Sequence, residues 1–240
     1  QLLKNPKVNT IITLDYSDAK KMEPKTKKAP QTFSDVTKDS GIDFNHEEDL
    51  FNDFQFEPLL PYKYSMMGPA LAKGDINNDG YEDFFIGNSK GNPGVMFVQD
   101  ANSTFTKLPG PWEKDKDQED AGAVFVDFDN DGDQDLYVAS HGNQFQNHTD
   151  RLYINTPDGF IKSSVALPPI AVAGRAIAAA DFDKDGRIDL FLGGRNVPGQ
   201  YPFPASSLLL KNSGGTDETL KFKNVTNTLA SELQDVGMIT

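Results

Sequence analysis

The sequence predicts an all-β fold, a segment of a β-propeller with about three to four blades in this chain. Three observations carry that prediction. From Phe33 onward, short apolar runs such as Ala123–Val126, Leu136–Ala139 and Leu190–Leu192 alternate with clusters of Gly, Asn, Asp and Pro. No window sustains the 3.6-residue period of an amphipathic helix. One acidic unit occurs three times, starting at residues 75, 127 and 181, so the spacings are 52 and 54 residues. Each unit sits between a small-residue strand and a pair of apolar runs, which makes four strands per period of about 50 residues, the arithmetic of a propeller blade.

The elements follow in order. Residues 8–14 are β-branched and read as one strand. Residues 19–31 are charged, hold two Pro and lack an apolar pattern, which is the composition of a linker. Residues 1–18 are therefore expected to close a preceding domain, and 32–240 to form the propeller segment. The acidic units are Asp75-Ile-Asn77-Asn-Asp79-Gly80-Tyr81-Glu-Asp83, Asp127-Phe-Asp129-Asn-Asp131-Gly132-Asp133-Gln-Asp135 and Asp181-Phe-Asp183-Lys-Asp185-Gly186-Arg187-Ile-Asp189. The strands expected before them are residues 70–74, 124–126 and 176–180. After them, residues 95–98 are expected to pair with 104–106, residues 152–154 with 159–161, and residues 208–210 with 220–222. The tail at 235–240 resembles residues 172–177, the approach to such a unit.

Composition narrows the function. With 36 acidic and 23 basic side chains the net charge is -13. An acidic surface disfavours nucleic acid and anionic membranes and suits a protein that holds cations. The absence of Cys excludes disulfide and zinc–thiolate frameworks and any cysteine nucleophile. No apolar run approaches the roughly 20 residues that span a bilayer. The chain opens at Gln1 and is expected to be a piece of a longer precursor.

The acidic unit has a direct chemical reading. Calcium takes six to eight oxygen ligands at about 2.3–2.6 Å. Alternate residues of a tight loop aim carboxylates at one point from the first, third and fifth positions. Gly at the sixth lets the chain turn without a Cβ in the way. The seventh can offer its backbone carbonyl, and the ninth closes the site with another carboxylate. An all-oxygen, highly anionic donor set favours calcium over zinc or copper. Three divalent ions would bring the charge from -13 to -7. An EF-hand uses the same first half but needs Glu at position twelve and flanking helices. Position twelve here is Ile86, Val138 and Leu192, all in strand-like runs.

These loops and their flanking strands resemble the FG-GAP/VCBS repeats of integrin-α-type propellers. Further phrases resemble the bacterial relatives of cartilage acidic protein, in which VCBS repeats are coupled to an ASPIC/UnbV domain. They are Phe33–Glu48, Glu57–Pro61, Gly193-Gly-Arg195 with Pro198-Gly, and Tyr201-Pro. On that resemblance residues 1–18 would be the last strand of such a domain. The resemblance implies a seven-bladed propeller when complete, about three Ca²⁺ ions, export to the cell surface, periplasm or exterior, and adhesion or binding of a protein or glycan. It assigns side-chain ligands to Asp75, Asn77, Asp79 and Asp83, to Asp127, Asp129, Asp131 and Asp135, and to Asp181, Asp183, Asp185 and Asp189. Tyr81, Asp133 and Arg187 would contribute backbone carbonyls alone.

Other candidates are weaker. No nucleophile elbow, P-loop or metalloprotease motif occurs, so an enzyme is not expected. The rival class is a polysaccharide lyase or hydrolase on the same scaffold, for which Arg175, Arg195, His141, His148 and Tyr201 are the available residues. His46, beside Glu47, Glu48 and Asp49, reads equally as a member of a polar site or of a surface acidic run. Trp112 reads as an inter-blade packing residue, with sugar stacking as the alternative. Asn102, Asn147 and Asn224 open triplets of the glycosylation pattern, which matters only in a eukaryotic secretory host.

Overall fold

The structure, a computed structural model, describes Asn9 and residues 32–141, 149–170, 174, 176–234 and 236–239. The chain divides into two compact units, residues 1–36 and 37–240. In the first unit the described residues 32–36 carry no regular secondary structure. The expected strand at 8–14 lies outside the described residues apart from Asn9, which is a turn residue with a φ of 63°. The linker at 19–31 also lies outside them.

The second unit is built from three four-stranded antiparallel sheets, each a meander in chain order. Blade 1 holds β1 (Leu71–Gly74), β2 (Asp83–Ile86), β3 (Val95–Gln99) and β4 (Phe105–Leu108). Blade 2 holds β5 (Glu119–Val126), β6 (Asp135–His141), β7 (Arg151–Ile154) and β8 (Ile161–Lys162). Blade 3 holds β9 (Ala176–Ala180), β10 (Asp189–Gly193), β11 (Leu208–Asn212) and β12 (Phe222–Asn224). A single helical turn, α1 (Thr226–Leu229), follows. Among the described residues no helix is long and apolar enough to cross a membrane.

Strand alternation explains why the sheets stack. In β6, Leu136 and Val138 face blade 1, whereas Tyr137 and Ala139 face blade 3. Successive residues of a strand point to opposite faces, and here both faces are covered, so all four are buried. Blade 1 meets blade 2 through Ala72, Ile76, Phe85 and Met96 against Phe125, Leu136, Val138 and Tyr153. Blade 2 meets blade 3 through Phe128, Tyr137, Leu152 and Ile154 against Leu190, Leu192, Leu210 and Phe222. Each buried Leu, Ile, Val, Phe or Met among them stabilises the stack by about 1.5–3 kcal/mol relative to exposure. The first strands lie side by side: the Ala70 N–H donates to Asp120 O at 3.2 Å. Within blade 2, Arg151 and Asp120 form a buried ion pair at 2.6 Å, and Arg151 also donates to Ser140 Oγ at 2.9 Å.

Register places the acidic units identically. Gly74 pairs with Asp83, Val126 with Asp135, and Ala180 with Asp189. The ninth position of each unit is thus the first residue of the second strand, and the preceding eight residues form the connection. The units are called loops 1, 2 and 3 below.

Candidate metal centre

Each loop closes on its own carboxylates. The first-position Asp accepts two backbone N–H groups. Asp75 takes those of Asp79 and Gly80 at 3.1 and 2.8 Å, Asp127 those of Asp131 and Gly132 at 3.2 and 3.0 Å, and Asp181 those of Asp185 and Gly186 at 3.0 and 2.9 Å. The fifth-position Asp accepts the N–H of the seventh residue at 2.9, 2.9 and 3.1 Å. The turn needs two successive departures from ordinary φ. Asn78, Asn130 and Lys184 lie near 60°, which Asn tolerates well. Gly80, Gly132 and Gly186 lie between 84° and 99°, where a side chain would be strained.

The ninth-position Asp does different work. Asp83, Asp135 and Asp189 are buried, and each joins three pieces of chain. One oxygen accepts the N–H of the second loop residue: Ile76 at 3.0 Å, Phe128 at 2.9 Å, Phe182 at 3.2 Å. The other accepts an N–H at the end of the third strand: Gln99 at 2.7 Å, Asn155 at 2.9 Å, Asn212 at 2.7 Å. A carboxylate has about four lone-pair sites, so these bonds leave capacity for a cation.

Side chains then wire each loop to the next blade. Asn155 donates from Nδ2 to Ile76 O at 2.8 Å, and Asn212 repeats the contact with Phe128 O at 2.7 Å. Asn130 donates to Gly186 O at 3.0 Å, and Asn78 to Asp133 Oδ1 at 2.6 Å. The second loop residues Ile76 and Phe128 are buried by the following blade, whereas Phe182 is 38 % exposed.

The loops diverge in their charges. In loop 2 one oxygen each of Asp127, Asp129 and Asp135 lie within 4.8 Å of one another, close enough to share one ion. A second triad, Asp129, Asp131 and Asp217, meets the same limit, and Asp217 belongs to blade 3. Asp129 is 9 % exposed, and its Oδ1 is buried with no hydrogen-bond partner. An ionised oxygen in that state is costly, and a cation is the partner that fits it. In loop 3, Asp181, Asp183 and Asp189 converge similarly. There, however, Lys211 Nζ contacts Asp183 and lies 3.1 Å from Asp185, and the Arg187 guanidinium pairs with Asp185. Loop 1 has Asn77 in the third position, donating to Asp79 at 2.9 Å, and among the described residues no acidic triad converges there.

Titration follows these surroundings. Burial pushes the carboxyls of Asp83, Asp129 and Asp189 above their usual range, against the N–H groups that pull them down. Desolvation takes Asp135 furthest, to about 8. Asp185 behaves oppositely: desolvation opposes the shift, but hydrogen bonds from Lys211 and the Arg187 N–H, with both cations nearby, lower it.

The expected ligand residues thus sit on three loops with the same strand register and the same turn dihedrals. Tyr81 is exposed, consistent with a backbone role. The Asp133 and Arg187 side chains are engaged as well, with Asn78 and Asp185. Trp112 is the inter-blade packing residue it was expected to be, and not a sugar-stacking ring: it is 2 % exposed and packs edge-on against Phe85, Tyr153 and Phe160, between blades 1 and 2. His46 is paired with Glu48 at 2.8 Å rather than lying loose in a surface run. Arg195 and Tyr201 do meet, around Tyr64: the guanidinium is 4.0 Å from the Tyr64 ring centre and the Tyr201 ring 6.2 Å. Arg175, His148 and the His141 side chain lie outside the described residues. Sequence reasoning missed Asp217, Lys211, Asn155 and Asn212. Their loop signals are absent from the repeat, since each acts on a residue far away in the chain.

Two overlapping stretches, residues 75–138 and 127–192, match the family model described as an FG-GAP-like repeat. Each stretch starts at the first Asp of one loop and ends just past the next. A search of curated proteins finds no match. With three repeated sheets and the acidic loops at equal register, the chain has a propeller-like all-β fold, and its segment from Asp75 to Leu192 is similar to FG-GAP-like repeats.

Proposed function

We propose that this chain is a calcium-stabilised propeller module of an exported or cell-surface protein, used to bind a protein or glycan. Calcium in this reading is structural and stiffens the loop end of each blade. The observation that supports it best is the orphaned, buried Asp129 Oδ1 inside the convergent acids of loop 2. The donor set fits the ion: carboxylates on the first, third, fifth and ninth residues, with Asn77 supplying a neutral oxygen in loop 1. FG-GAP-like repeats support the extracellular, adhesive setting. There calcium is abundant and a Kd of about 10⁻⁴–10⁻³ M suffices. The phrases around Phe33–Glu48 and Gly193–Tyr201 support a finer placement among bacterial relatives of cartilage acidic protein, with residues 1–18 ending an ASPIC/UnbV domain.

The test is calorimetric titration of the chelator-treated chain with calcium chloride, with melting curves before and after. Saturation at about 100 times Kd should stabilise the fold by about 2.7 kcal/mol for one site. A folded chain that takes up no calcium and melts unchanged would end this reading. The rival, a lyase or hydrolase drawing on Arg195 and Tyr201, requires turnover of an anionic polysaccharide.

A further inference from the structure

The hairpin of β11 and β12 touches two loops at once. Its connection, residues 213–221, reaches back over loop 2. The turn is held by the Thr216 N–H donating to Thr219 Oγ1 at 3.0 Å and the Thr219 N–H donating to Thr216 O at 2.8 Å. Gly215, at a φ of 114°, passes so close to Thr219 O that a Cβ there would sit 2.5 Å from it. This turn delivers Asp217, whose N–H donates to Asp129 Oδ2 at 3.0 Å. The Asp217 carboxylate then joins Asp129 and Asp131 within 4.8 Å. The unpartnered Asp129 Oδ1 is the independent sign that something cationic is wanted there.

The strand leading into that turn carries Lys211. Gln99, Asn155 and Asn212 are equivalent, because each donates its N–H to the ninth-position Asp of its own blade. The residue before them is Val98 in blade 1, Ile154 in blade 2 and Lys211 in blade 3. Blade 3 alone places an ammonium at this step, and it lies against Asp183 and Asp185.

We propose that this hairpin sets which loops take calcium: Asp217 completes a cation site shared between blades 2 and 3, and the Lys211 ammonium stands in for the cation at loop 3. The proposal rests on the calcium reading above. Loop 2 gains a carboxylate from outside its own repeat, so its ion clamps two blades together. Loop 3 has its charge met from within, so a divalent ion must first displace the lysine.

The experiment is titration of the full chain with calcium chloride, comparing Asp217→Asn, Lys211→Ile and Lys211→Gln with the parent. Asp158→Asn, in the matching turn of blade 2, and Lys114→Met, on an exposed stretch, make the same charge changes away from the loops. Removing one carboxylate next to a divalent ion should weaken the tightest site about tenfold or more, and Asp158→Asn should not. Both Lys211 variants should add a site absent from the parent isotherm. Three equal sites in the parent, unmoved by any of these variants, would overturn the proposal and leave the calcium reading intact. Calcium silence in every folded variant would remove both.

Discussion

Loops 2 and 3 share their backbone, their Gly turn and their buried ninth-position Asp, yet they solve the problem of crowded negative charge differently. Loop 2 leaves a buried carboxylate oxygen of Asp129 without a partner, while Asp217 brings a further acid from blade 3. Loop 3 sets Lys211 and Arg187 against its acids. The difference lies outside the repeat pattern. It teaches that a motif match establishes a loop's shape, whereas residues outside the ligand positions, from the same blade in loop 3 and from the next blade in loop 2, decide its charge balance. Packing like charges in one place raises carboxyl pKa values unless a counter-charge is supplied. Burial, with the neighbouring acids second to it, raises Asp129 and Asp135 in loop 2 and Asp189 in loop 3, whereas Lys211 and Arg187 lower Asp185 against its desolvation.

The comparison can be attacked first at what the loops share. Asp135→Ala strips both N–H partners at once, from Phe128 and Asn155, in a fully buried place. It should cost about 3 kcal/mol without calcium, since two buried donors lose their acceptor. Asp189→Ala should cost a similar amount without calcium. With calcium present the two should separate, because only loop 2 then loses a bound ion as well. Denaturant melts with and without chelator read this, and equal losses under both conditions would erase the distinction between the loops.

A smaller effect tests the wiring between blades. Asn212→Ala removes the bond to Phe128 O and leaves that carbonyl buried, and Asn155→Ala does the same for Ile76 O. Each should cost about 1–2 kcal/mol. Asn212→Ala should also loosen the turn that carries Asp217, because Asn212 Oδ1 accepts the Gly214 N–H at 2.8 Å. Its calcium affinity should therefore fall, and that of Asn155→Ala should not.

The smallest effect belongs to the lysine itself. Lys211 and its partners are partly open to solvent, and solvent screening leaves such pairs little net stabilisation. Lys211→Gln should accordingly change the calcium-free melting point little. A large loss would mean that Lys211 is a structural pillar of blade 3 rather than a stand-in for an ion.

Much of this molecule was legible in advance. The inner strands of all three blades fall where the apolar runs placed them, because a run such as Leu136–Ala139 can be buried on both faces only within stacked sheets, whereas the outer strands β8 and β12 begin two residues later than the expected 159 and 220. Gly80, Gly132 and Gly186 adopt the positive φ that the loop spacing required. Trp112 reads from the sequence as a packing residue between blades, and it is buried there. Its burial depends on Phe85 and Tyr153, from two different blades.

By itself the sequence determined the repeat, the blade's strand order and the ligand spacing of each loop. These are local properties: they depend on side-chain alternation, on Gly at a left-handed turn, and on acids a few residues apart. Only the tertiary structure decided which residues meet across blades. Asn155 reaches Ile76 from 79 positions away, Asn212 reaches Phe128 from 84, and Asp217 reaches Asp129 from 88. No short-range pattern encodes such meetings. They arise when apolar burial stacks one blade on the next and brings distant polar side chains within hydrogen-bonding distance of one another.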